Sequence, residues 1–84
     1  MLIMALKDKV AKKFVQYVPT PSVDLLKRDM KNAVNHPGSI YNTNSEDFDC
    51  YILNEVDETT GETLSTKVDF AFNLADLKND PQVQ

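Results

Sequence analysis

Apolar residues recur at steps of three and four near the start of the chain: Ile3, Leu6, Val10, Phe14 and Tyr17. That period predicts an amphipathic helix over residues 2–18. Lys9, Lys12 and Gln16 fall on its wet side, and Asp8 stands four residues ahead of Lys12, the favourable order for a helical ion pair. Pro19 and Pro21 end the helix. Thr20-Pro21 then offers a cap and a first-turn proline for a second helix. Its apolar stripe is Val23, Leu26, Met30 and Ala33/Val34, with Asp24 in the first turn. It closes near Asn35, ahead of His36-Pro37-Gly38. So short a link predicts an αα-hairpin.

Residues 37–46 are polar and rich in turn formers, so they read as a loop. Beyond them the period changes to two. Phe48, Cys50, Ile52 and Val56 alternate with Asp47, Asp49, Tyr51, Leu53 and Glu55. After Thr59-Thr60-Gly61 the alternation resumes, with Leu64, Thr66, Val68, Phe70 and Phe72 on one face. A three-residue turn with Gly61 left-handed would pair Phe48 with Phe72, Cys50 with Phe70, Ile52 with Val68 and Val56 with Leu64. This register places all of these paired apolar residues inward, and a one-residue slip would set Lys67 against Ile52.

The expected class is therefore α+β, a two-helix N-terminal hairpin packed on an antiparallel β-hairpin, in a single domain spanning 1–84. A basic helical hairpin takes 1–36, a loop 37–46, an acidic β-hairpin 47–74, and a short turn with a frayed tail 75–84. Two strands alone are marginal, so a third short strand, for which Ile40-Tyr41 is the candidate, or a homodimer is expected.

Composition adds constraints. The chain has 84 residues, 42% of them apolar and 26% charged, a globular balance with no room for a second domain. Cys50 is the only cysteine, so no disulfide can form within the chain. One cysteine and one histidine leave no set of soft ligands for a structural metal, and no metal or cofactor is expected. The apolar run Leu2–Leu6 is too short for a signal segment or a membrane span. A cytoplasmic protein without membrane contact is expected.

Charge divides the chain. Residues 1–41 carry seven basic and three acidic side chains, and residues 42–84 carry two basic and ten acidic, giving the net −4. The outer face of the expected hairpin shows Asp47, Asp49, Glu55 and Asp69 around Tyr51 and Leu53. An aromatic anchor ringed by acids suits a protein partner with a basic surface, and acids at strand spacing can imitate nucleic-acid phosphates. The same island could instead be buried between copies, and a charged sheet face that keeps the chain soluble is the plainest account of it. Lys9, Lys12, Lys27, Arg28 and Lys31 form the alternative surface, a helical basic face for weak contact with a nucleic-acid backbone. Their plainest account is the solvated side of the helices.

Catalytic groups are scarce. Cys50 points inward by alternation and reads as a small core residue. His36 reads as a helix-end residue. Asp47 and Asp49 follow no calcium-loop spacing, and no phosphate-binding glycine loop is present. A small, acidic, non-enzymatic protein that binds and inhibits or modulates a larger partner is the expected function. Inhibitors of this size and charge are encoded by viruses and mobile elements. A nucleic-acid-associated regulator using the basic helices is the second expectation.

Overall fold

The computed structural model describes residues 1–78. In chain order the elements are β1 (Leu2–Asp8), β2 (Lys13–Thr20), helix α1 (Val23–Val34), the one-turn helix α2 (Ile40–Thr43), a 3₁₀ turn (Ser45–Asp47), β3 (Phe48–Val56), β4 (Thr63–Ser65), β5 (Asp69–Asn73) and a second 3₁₀ turn (Leu74–Leu77). All strand pairs are antiparallel. The order is β2-β1-β3, and β4 and β5 follow one another along the remaining edge of β3.

The architecture is α+β, but it is not a two-helix hairpin on a β-hairpin. The expected first helix is the β1–β2 hairpin, and β1 lies inside the sheet, paired with residues 48–55. Asp8 explains the turn. Its carboxylate accepts the N–H groups of Val10 and Ala11 at 2.9 and 3.1 Å, and its carbonyl accepts that of Lys12 at 2.8 Å. Lys12 takes the left-handed conformation, φ 60°. The aspartate expected to pair with Lys12 along a helix therefore folds the chain back on itself. Pro19 is tolerated because β2 is an edge strand and need not donate on its open side.

Helix α1 forms where the apolar stripe placed it, though Ser22 is the cap, accepting the Leu25 N–H at 3.1 Å. Thr20, expected to cap, ends β2 and is buried. Ile40-Tyr41 is no strand. Ser39 caps it as the start of α2, accepting the Tyr41 N–H.

The second half of the expected hairpin is also shifted. Val56 pairs with Thr63 instead of Leu64, Cys50 with Phe72 instead of Phe70, and Phe70 with Tyr51. Asn73 pins this register. Its amide donates to the Asp49 carboxylate at 2.7 Å and the Glu46 carbonyl at 3.0 Å, and its oxygen caps the second 3₁₀ turn at Ala75. That turn delivers Leu74 to the core, where it and Phe72 fill the space expected for Phe70 and Val68. Leu64, Val68 and Phe70 are exposed.

One core results. Met4, Leu6, Phe48, Cys50 and Phe72 from the inner sheet face meet Leu26 and Val34 of α1 and Leu74, with Val23, Met30, Tyr41 and Leu77 packed around them. Both helices and Leu74 thus cover the same face of the sheet. The tail expected to fray lies mostly outside the described residues. No helix among them is long and apolar enough to cross a membrane.

Candidate functional site

Among the described residues no helix covers the outer face of the sheet, and the positions on that face are fixed by register. Ala5 of β1 has Tyr17 of β2 on one side and Tyr51 of β3 on the other, and Tyr51 faces Phe70 of β5. In the next row Lys7 lies between Phe14 and Asp49, and Asp49 faces Asn73. Two rows of side chains thus cross the sheet, one mainly aromatic and one mixed.

The rings touch. Phe14 and Tyr51 meet edge to face with centroids 5.5 Å apart, and Tyr51 and Phe70 do the same at 5.7 Å, within the favoured range for aromatic pairs. The Lys7 ammonium stands 5.9 Å from both the Phe14 and Tyr51 centroids, close enough for attraction to their π faces. Tyr17 and Phe70 are 62% and 57% exposed, whereas Tyr51 is half-buried between its neighbours.

Of the acidic residues proposed from alternation, only Asp49 stands in these rows, and its side chain is only 14% exposed, 3.9 Å from the Lys9 ammonium and held by Asn73. Asp69 lies opposite Ile52 and 3.6 Å from Lys67. Asp47 belongs to the first 3₁₀ turn, where its carbonyl accepts the Lys9 N–H. Leu53 is half-buried at a bulge between the Ile3 and Met4 positions of β1. Beyond that bulge Glu55 pairs with Leu2 and Ser65. Of the six, only Tyr51 and Asp49 sit in the two rows.

The basic set divides as well. Lys9 and Lys12 belong to the β1–β2 turn. Lys27, Arg28 and Lys31 ride on α1, across the sheet, and Lys27 lies 5.3 Å from the buried ring of Phe72. The sequence reading missed Lys7, Phe14, Tyr17 and Phe70 as surface groups. Three of them were hidden by the helix assignment and Phe70 by the assumed register.

Elsewhere the chemistry is sparse. Burial, and next the charge of Asp49, push the Cys50 thiol up to about 12, so it is protonated at neutral pH. A cleft of about 220 Å³ is lined by Asp8, Val10, Ile40, Asn44, Asp47 and Phe48. Its Asp8 carboxylate is occupied by the turn amides. No cluster of three metal-ligating side chains occurs among the described residues.

The family model described as phage ORF5 protein matches residues 1–76, all five strands included. The chain belongs to the phage ORF5 protein family. Of the virus- or mobile-element-encoded origins expected, the membership agrees with the viral one. No curated protein and no solved structure matches the chain. Within this phage ORF5 family member, the outer sheet face gathers exposed aromatic side chains, Tyr17 and Phe70, that the core does not account for.

Proposed function

We propose that this phage protein is a non-catalytic binding module that engages and modulates a macromolecular partner inside the infected cell through the outer face of its sheet, with Tyr51 as the central anchor. The observation that carries the reading is the contiguous cluster of Phe14, Tyr51 and Phe70 on a face that no helix among the described residues covers. Three rings on open sheet contribute nothing to the core, and large aromatic side chains are favoured anchors of recognition. A protonated, buried Cys50 supports a binding role over a nucleophilic one.

The face differs from the nucleic-acid-mimicking surface expected from alternation. Asp49 and Asp69 each have a lysine beside them, and Lys7 stands between the rings. The partner therefore need not be basic. The test is to replace Tyr51 and Phe70 by alanine together and, separately, Lys27 and Lys31 by glutamate, with circular dichroism to verify folding. Partner capture from phage-infected cells is abolished by the first pair and kept with the second. Failure with the helix pair alone would move the working surface to α1.

A further inference from the structure

Resting on that reading, we propose that the partner on this face is a single-stranded nucleic acid, its bases stacked on Tyr51, Phe70 and Phe14 and its phosphates met by Lys7, Lys12 and Lys13. An open sheet with aromatic side chains on neighbouring strands is a surface on which bases stack without sequence preference, because every base has a π face. The ring cluster spans β2, β3 and β5, enough for about two or three bases by comparison with other sheet platforms.

Local charge fits a phosphate backbone better than the net charge suggests. Lys7, Lys9, Lys12 and Lys13 fall within seven residues, with Asp8 the sole acid among them. Asp8 is turned to the backbone amides of Val10 and Ala11. Asp49 and Asp69 are matched by Lys9 and Lys67. Among the described residues, Lys7, Lys12 and Lys13 take part in no ion pair, and Lys7 is already poised over two rings. A duplex offers no exposed base faces to such a surface and would bind only through charge.

The experiment is fluorescence anisotropy of labelled oligo-dT and oligo-U twelve-mers at low salt. Ring faces and phosphates are common to the two, so binding of either supports the proposal. The chain has no tryptophan and three tyrosines, so quenching of tyrosine emission gives a second readout of stacking. Phe70→Ala and Tyr51→Ala each weaken binding by about fivefold or more, in line with removal of one base–ring stack. Lys7→Ala lowers the steepness of the salt dependence by about 0.7 for each phosphate that it no longer neutralises. Lys31→Ala on α1 changes neither.

Phe70 is largely exposed, so its variant keeps the test interpretable if Tyr51→Ala fails to fold. Three results would overturn the proposal: no binding of either oligomer, binding unaffected by Phe70→Ala, or duplex bound as tightly as single strand. A protein partner that Phe70→Ala no longer captures, in the absence of oligomer binding, would refute this inference and leave the binding-module reading standing.

Discussion

Replacing Phe72 and Phe70 separately by alanine sets the observed strand register against the one that alternation alone predicts. Phe72 is 3% exposed, opposite Cys50, and packs with Met4, Leu6 and Leu74 in the core. Truncating it removes a buried ring and leaves a cavity in a closely packed interior, a loss of about 3–5 kcal/mol. An 84-residue domain holds about 4–13 kcal/mol in total, so this one change consumes a large part of the stability. Phe70 is 57% exposed, and its ring meets Tyr51 edge to face. Its truncation forfeits about 0.5–1.5 kcal/mol. The two variants should therefore differ by about 1.5 kcal/mol or more in urea melts followed by circular dichroism. In thermal melts each kcal/mol moves the midpoint by about 4–8 °C for a domain of this size. Equal losses, or a larger loss for Phe70→Ala, would refute the register and restore Phe70 to the position opposite Cys50.

Other expectations follow from single side chains. Asp8→Ala removes the acceptor for two turn amides and lowers stability by about 1 kcal/mol, whereas a helical Asp8 would cost a few tenths, read by the same urea melt. Ser22→Ala costs about 1 kcal/mol because the Leu25 N–H is left uncapped, measured against Ser65→Ala as an exposed control. Gly61 holds φ +79° with open space around it, so Gly61→Ala costs about 1–2 kcal/mol by conformational strain alone, again in urea. The Cys50 thiol is raised from 9.0 to about 12. Folding therefore favours its neutral form, and this contribution is complete below pH 9 and declines as the pH rises toward 12. At pH 8 iodoacetamide should label Cys50 slowly in the native protein and quickly in urea.

Some elements were legible because their signals are local and agree with their environment. Helix α1 announces itself through Val23, Leu26, Met30 and Val34, all turned to the core. Strand β3 does so through Phe48, Cys50 and Ile52. Residues 2–18 carry both periods at once. Leu6 belongs to the helical stripe and also to the strand series Leu2, Met4, Leu6, so the pattern could not choose. The choice is made by partners on β3, some forty residues distant, where pairing overrides local preference. The β-branched and aromatic run Phe14, Val15, Tyr17, Val18 was the one local hint of a strand. The register of β5 was hidden for a different reason. Alternation counted Phe70 and Phe72 as equals, but Asn73 and the following turn allow only Phe72 and Leu74 to reach the core. Of the candidate site, Tyr51 was legible from its outward position on β3. Its ring neighbours Phe14 and Phe70 were not, since their placement depends on those same two non-local decisions.

The position of β1 between β2 and β3 has a temporal consequence during synthesis. The chain emerges from the ribosome from its N-terminus, and β1 pairs with residues 48–55. At about 5–20 residues per second, β1 waits roughly 2–10 seconds for its second neighbour to be made. Through that interval the nascent hairpin presents an open edge bearing Leu2, Met4 and Leu6, a template for pairing with another chain. Final closure then joins segments remote in sequence, which slows it relative to a helical domain of the same size. Chains interrupted before residue 48 keep that edge bare for good and are the species most prone to aggregate.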